Sequence, residues 1–252
     1  MKIEITGITD TGQVREHNED SIATEPSIGL AVLADGMGGH QAGEVASQIA
    51  VEAVTEKINR YIDAREADSK EDENSDSHIE KLVQAVEDAN TQILRIAEER
   101  PECRGMGATI VAAFFKDDRF SVAHLGDSRM YRLRGDSLKQ ITDDHSLVQE
   151  LVRQGMLTPE EAQGSLNKNL ITRALGIEDH VTPDINQGKI EEGDLYLLCS
   201  DGLTDVVNDE QIRQTLHNAN GELEESASTL VNMANEAGGP DNISVILVRT
   251  LE

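Results

Sequence analysis

Twice in this chain a short apolar run stops at an Asp-Gly pair. Val32-Leu33-Ala34 runs into Asp35-Gly36, and Leu197-Leu198-Cys199-Ser200 runs into Asp201-Gly202. Two further aspartates stand in similar places: Asp127 after His124-Leu125-Gly126, and Asp241 just ahead of the apolar segment Ile243 to Val248. A buried strand delivers its terminal side chain to a fixed point, and a following glycine lets backbone or ligand approach closely. Any one Asp-Gly after a strand is ordinary turn chemistry. Four together constrain the fold, because converging carboxylates repel one another unless a cation sits between them. Ligation by oxygen alone selects hard divalent ions, Mg2+ or Mn2+. Two such ions ~3.5–4 Å apart can clamp a phosphate and generate a hydroxide nucleophile.

The other apolar segments outline the frame. Ile3 to Ile8 alternates, and Ile28 to Ala34 is a nearly continuous run. Ala108 to Phe115 and Phe120 to Leu125 flank the polar turn Lys116-Asp117-Asp118-Arg119 as a hairpin, followed by strands at Met130 to Leu133, Leu195 to Cys199 and Ile243 to Val248. Helical spacing marks Gly43 to Ile62 and Ile79 to Glu98, with shorter helices expected at Ser146–Gln154, Asp209–His217 and Glu222–Glu236. Between the long helices, Asp63 to Ser77 is acidic and carries no aliphatic residue larger than Ala, which predicts a solvated loop. Paired helices between hairpin-connected strands predict one α+β layered domain over residues 1–252 rather than a parallel doubly wound sheet.

Charge narrows the partners. With 22 Lys+Arg against 48 Asp+Glu the formal charge is −26, which argues against nucleic acid and anionic membrane surfaces and favours cations or cationic partners. No apolar run approaches the ~20 residues of a membrane span, and the N-terminus lacks a signal-peptide core, so a cytoplasmic protein is expected. Aromatics are only 2% of the chain, so the core must be aliphatic. Cys199 reads as a small core residue, His124 as a hydrogen-bonded pocket-edge histidine, and Cys103, in a polar turn after Pro101, as exposed.

Several other chemistries fail on the residues. There is no Gly-x-x-x-x-Gly-Lys phosphate loop, and Met130 stands where a nucleophile elbow around Ser128 needs Gly. Neither Cys103 nor Cys199 has an Arg six positions on, and the seven histidines show no zinc spacing. The segment Thr9 to Asp20 offers a cation for a phosphate: the guanidinium of Arg15, close in sequence to Glu19-Asp20, could set substrate beside metal, although taken singly an Arg in such a loop is more often a surface ion pair.

Together these segments resemble the metal-dependent Ser/Thr protein phosphatases (the PPM, or type 2C, family) in their compact bacterial form. The motifs fall in the family's order: Thr9-Asp10-x-Gly12-x-x-Arg15-x-x-Asn18-Glu19-Asp20, Ala34-Asp35-Gly36-Met37-Gly38-Gly39, Gly107-Ala108-Thr109, Gly126-Asp127-Ser128-Arg129, Ser200-Asp201-Gly202 and Asp241-Asn242. The resemblance implies a four-layer αββα sandwich with a metal centre at one end. It implies that Asp35 bridges two Mn2+ or Mg2+ ions and that the Gly36 carbonyl serves one of them. Asp201 and Asp241 would hold the first ion, Glu19 or Asp20 would lie near the second, and Asp127 with Asp201 would hold a weaker third. Arg15 would bind the substrate phosphate, and residues 143–180 would contain the flap beside the site.

The implied reaction is in-line attack of a metal-activated hydroxide on phosphoserine or phosphothreonine, opposing bacterial Ser/Thr kinases, with a kinase among the phosphoprotein substrates and the enzyme a monomer. The chain departs from eukaryotic relatives, which place His directly after Asp-Gly. Here Met37 stands there and His40 follows three residues later as candidate general acid. The flap's usual His-Pro-x-x-Asn reads Ser165-Leu166-Asn167-Lys168-Asn169, and Gly-Thr-Thr reads Gly107-Ala108-Thr109. A phosphoprotein-binding pseudophosphatase and a small-phosphoester hydrolase are the competing readings. No metal-ligand position is missing, which favours the enzyme.

Overall fold

Side-chain alternation decides the layering. In a computed structural model that describes residues 2–39, 42–67, 75–158, 161–162, 165, 170–218 and 222–251, strand β3 (Leu30–Met37) turns Leu30, Val32 and Ala34 to one face and Ala31 and Leu33 to the other. It lies in a sheet with β2 (Asp20–Glu25), β5 (Ile110–Lys116), β6 (Arg119–Leu125) and β9 (Asp184–Lys189), ordered β2-β3-β5-β6-β9, while β4 (Gly107–Ala108) pairs with the end of β3. A second sheet runs β1-β11-β10-β7-β8, from β1 (Lys2–Asp10), β11 (Ile243–Leu251), β10 (Leu195–Cys199), β7 (Arg129–Arg134) and β8 (Ser137–Gln140). The pairings in both sheets are antiparallel.

Three apolar layers follow. Between the sheets, Ala31, Leu33, Val111, Phe115 and Val122 meet Met130, Tyr196, Leu198, Ile246 and Val248. Outside the β3 sheet, α1 (Ala42–Ala67) and α2 (Ser75–Glu99) cover Leu30, Val32, Ala112 and Phe114 with Val54, Ile58, Leu82, Val86 and Ile93. Outside the other sheet, α4 (Asp201–Thr204), α5 (Asp209–His217) and α6 (Leu223–Glu236) bring Leu203, Ile212, Leu216, Leu230 and Val231 onto Leu197, Cys199, Val245 and Leu247. Each fully buried Leu, Ile or Val is worth roughly 1.5–3 kcal/mol. The expected αββα sandwich is the observed one. One further helix, α3 (Leu147–Arg153), is capped by Ser146, whose side chain accepts from Gln149 N–H.

The structure also corrects the sequence reading. Helix α1 continues to Ala67 and α2 begins at Ser75, so much of the expected Asp63–Ser77 loop is helical and its remainder lies outside the described residues. The expected Ala108–Phe115 strand is two strands broken at Thr109. Cys103 is 4% exposed, because the 3-10 turn Pro101–Cys103 folds it into the α1–α2 core.

Candidate metal centre

Antiparallel pairing gathers the strand ends. Asp20 opens β2 directly opposite Asp35 in β3, and like charges so placed destabilise a sheet. Because β10 and β11 are antiparallel neighbours, Asp201 after β10 and Asp241 before β11 fall at the same end of that sheet. Asp127 follows β6 across a turn at Gly126. Asp20 and Asp127 are 6% and 7% exposed.

Hydrogen bonds lock the backbone around these carboxylates. Glu19 carbonyl accepts from Gly36 N–H at 3.0 Å. A Cβ on Gly36 would lie 2.0 Å from Gly43 carbonyl and 2.6 Å from Glu19 carbonyl, so only glycine permits this approach. Asn242 Oδ1 accepts from Glu19 N–H at 2.8 Å, while its Nδ2 donates to the carbonyls of Thr11 and His17, both at 2.9 Å. That amide ties the loop carrying Arg15 to the start of β11. Thr109 N–H donates to Asp35 carbonyl at 2.8 Å, and Thr109 Oγ1 accepts from Asp35 N–H at 3.2 Å and shares a 2.7 Å bond with Ser128 Oγ. Ser200 Oγ donates to Asp20 Oδ2 at 2.8 Å.

The electrostatics are those of an unbalanced negative cluster. Burial, reinforced by the charges of Asp20, Asp201, Asp127 and Asp241, raises Asp35 well above the usual carboxylate range. Asp201 is raised likewise by burial and by Asp127, Asp205 and Asp241. Burial first, and neighbouring carboxylates after it, bring Asp20 and Asp127 to about 6. Glu19 is raised by burial, against the pull of Arg15. Asp20 Oδ1 and Asp127 Oδ1 are buried with no hydrogen-bond partner. Orphaned carboxylate oxygens in an all-oxygen cluster are what Mn2+ or Mg2+ would satisfy, so the residues fit the implied ions.

The remaining sequence candidates fall into place around this cluster. Arg15 Nη2 donates to Asp241 Oδ2 at 2.7 Å. His40 lies outside the described residues, as do Leu166 to Asn169 of the expected flap. Beside the Arg15 loop, Glu16, His17, Val45, Arg100 and Glu102 border a cleft of about 770 Å³. Among the described residues, His124, His145 and Asp184 form a separate group whose ligand atoms lie within 4.8 Å of one another. Arg173 Nη1 already donates to Asp184 there at 2.7 Å, and the two imidazoles stack at 17°, which sets their lone pairs side by side rather than convergent. That group holds an Arg173–Asp184 ion pair, with His124 Nδ1 buried beside it without a hydrogen-bond partner. Sequence reasoning passed over Asn242, Thr109 and Ser200 as orienting groups, although each adjoins or lies within a motif that it had marked.

A sequence profile of protein phosphatase 2C matches residues 11–246. The chain belongs to the protein phosphatase 2C family. Among its relatives, the serine/threonine protein phosphatase PstP of Mycobacterium tuberculosis is 41% identical over 244 residues, which are 97% of this chain. The chain spans 44% of PstP's length. The protein phosphatase PhpP of Streptococcus pneumoniae is 38% identical over 249 residues, covering 98% of this chain and 97% of PhpP. The crystal structure of the PstP catalytic domain in complex with two manganese ions superposes with a TM-score of 0.85 at 40% identity, over 99% of each chain. Among the described residues, no helix is long and apolar enough to cross a membrane.

Proposed function

We propose that this chain is a metal-dependent protein serine/threonine phosphatase. The observation that carries the reading is the set of buried, mutually repelling carboxylates with orphaned oxygens at one end of a protein phosphatase 2C sandwich. Asp35, Asp201, Asp241 and the Gly36 carbonyl would hold two ions with Asp20 or Glu19, and Asp127 with Asp201 would hold a weaker third. When bound, Mn2+ or Mg2+ supplies Lewis acidity that neutralises phosphate charge and brings the pKa of water towards neutrality.

The chain's own contribution is positioning. Arg15 sits at the rim on a loop pinned by Asn242, and its guanidinium matches phosphate oxygens bidentately. In the structure its partner is Asp241, so phosphate and carboxylate compete for one fork of donors. Thr109 ties Asp35 to the Ser128 turn, so Asp35 and the Asp127 segment move as one unit. The cleft bordered by Glu16, Arg100 and Glu102 offers room for polypeptide beside the Arg15 loop, and the chain's net charge of −26 favours basic flanking residues. The substrates are phosphoserine and phosphothreonine proteins, a Ser/Thr kinase among them, and the enzyme acts as a cytoplasmic monomer.

The test is phosphate release from a phosphothreonine peptide with Mn2+, with EDTA, and with Asp35→Asn. Mn2+-dependent release that EDTA and the variant both abolish is expected. No release by folded, Mn2+-loaded protein across several phosphopeptides would move the assignment to a phosphoprotein-binding module.

A further inference from the structure

His145 and Gly126 hold one another from both sides. His145 N–H donates to Gly126 carbonyl at 2.9 Å, and Gly126 N–H donates back to Nδ1 of the imidazole at 3.1 Å. A ring that accepts at Nδ1 carries its proton on Nε2. That Nε2 faces Asp184 Oδ2 at 3.3 Å, while Arg173 Nη1 donates to Asp184 Oδ1 at 2.7 Å. Arg173 Nη1 also lies 2.9 Å from His145 Nε2, and because a guanidinium can only donate, it competes with the Gly126 N–H for the one acceptor nitrogen of the neutral ring. Burial, then the charge of Arg173 and the neighbouring His124, push His145 down to about 4, so its ring is neutral at pH 7. His124 stacks on it with centroids 4.9 Å apart and is itself bonded to Asp143 carbonyl.

The other side of the turn is equally tight. Gly126 has φ +109°, and a Cβ there would lie 2.6 Å from Thr109 Cβ. The Gly126–Asp127 backbone is therefore wedged between Thr109, which is bonded to Asp35, and the imidazole of His145. Further along the chain, Thr172 N–H donates to His145 carbonyl at 2.8 Å, and two residues on from His145, Leu147 N–H donates to Leu170 carbonyl at 2.9 Å.

We propose that His145 is a positioning residue: its Nδ1 fixes the Gly126 amide and so places the Asp127 carboxylate, and Arg173 and Asp184 at the start of β9 orient the ring from its other edge. The inference rests on the reading of Asp127 as a metal ligand. Partners that orient metal ligands typically carry 10–100-fold of affinity or activity, and this one links the expected flap to the weakest of the expected ion sites.

Calorimetric Mn2+ titration of the full chain tests it, with Asp127→Asn, His145→Leu and His145→Asn. Leu keeps bulk but removes the acceptor, whereas Asn places Oδ1 near the position of Nδ1 and keeps it. His145→Leu is expected to weaken the same Mn2+ event that Asp127→Asn weakens, by roughly 10–100-fold. It should also speed hydrogen exchange of the Gly126 amide, and His145→Asn should bring both back towards wild type. A merely structural histidine would show Leu and Asn losing alike, and that result, or an unaltered Mn2+ titration in His145→Leu, overturns the proposal. If Asp127→Asn itself alters no Mn2+ event, the metal reading of Asp127 fails and takes the inference with it, an outcome distinguishable from failure of His145 alone.

Discussion

At one end of β10, Asp194 is 1% exposed and accepts from Arg134 Nε and Nη2, both at 2.7 Å, from Glu191 N–H at 2.9 Å and from Tyr196 hydroxyl at 3.0 Å. At the other end, Asp201 is surrounded by Asp127, Asp205, Asp241 and Asp20. Burial alone would raise both. The donors around Asp194 hold it below the usual carboxylate range, and the neighbours of Asp201 push it well above. The protein closes one buried aspartate with its own hydrogen bonds and leaves the other end short of positive charge. The first arrangement holds β9, β10, β11 and β7 together, with Thr250 completing it through the Asp194 carbonyl. The second is left to be balanced by a cation on the proposed reading, which would separate a site from a structural ion pair of the same residue type.

The sharpest way to break this comparison is to neutralise one aspartate at each end. Asp35→Asn is expected to cost at least ~10³-fold in turnover while raising the melting temperature of the metal-free protein, because it removes a repelled charge. Asp194→Asn should do the reverse, lowering stability by about 1.5–3 kcal/mol and leaving turnover per folded molecule unchanged. Thermal melts in EDTA and Mn2+-dependent phosphate release read both. If Asp35→Asn destabilised the metal-free protein, the cluster would not be the strained end.

Next in size is the pH dependence without metal. Asp20 and Asp127 titrate at about 6 when folded, against about 3.9 in an unfolded chain. Their folded values are raised, so their contribution is fully present below about pH 4 and is lost as pH rises through about 6. Metal-free protein should therefore melt at a lower temperature at pH 7.5 than at pH 5, and saturating Mn2+ should restore it most at the higher pH. Asp194 works in the opposite sense: its lowered value adds stability above the unfolded value and loses it as pH falls through the folded one.

How much of each end was legible in the sequence follows the same division. The carboxylate-rich end is written in local runs: an apolar strand, an aspartate, a glycine. Such runs could be read one at a time and then counted. The Asp194 network joins Arg134, the Glu191–Tyr196 stretch and Thr250 from three separate parts of the chain, and none of these carries a local signal. The same holds for the strands that were missed. β2, β8 and β9 have few fully buried positions, so their Asp-Ser-Ile, Ser-Leu-Lys and Asp-Ile-Asn sequences show no apolar run, and only pairing with β3, β7 and β6 makes them strands. The extra turn of α1 and the early start of α2 were masked by their acidic, polar composition.

Arg15→Ala probes the rim, where the two ends meet solvent differently. The Arg15–Asp241 pair is half exposed, with side chains at 51% and 31%, so its loss should change stability by less than ~1 kcal/mol. KM for a phosphopeptide should rise about tenfold with a smaller change in kcat, as expected for a contact made to ground-state phosphate. An unchanged KM would remove Arg15 from the phosphate site.

Ser200→Ala gives the smallest effect and the finest test of how the carboxylate-rich end is balanced. Ser200 Oγ donates to Asp20 Oδ2 at 2.8 Å and accepts from Ser244 N–H at 3.0 Å. It is one of the few donors that the chain supplies to this cluster, and its bond pulls Asp20 down against burial. Removing it should cost about 1 kcal/mol and raise Asp20 further, so the metal-free pH dependence becomes steeper above pH 6. Mn2+ should mask most of that cost, because a bound cation would stabilise the charge of the same carboxylate. At the opposite end, deleting the Tyr196 hydroxyl from Asp194 leaves Arg134 and Glu191 N–H in place, and Mn2+ should recover nothing there. Equal rescue of Ser200→Ala and Tyr196→Phe by Mn2+ would mean that the ion stabilises the sandwich as a whole rather than this one end of it.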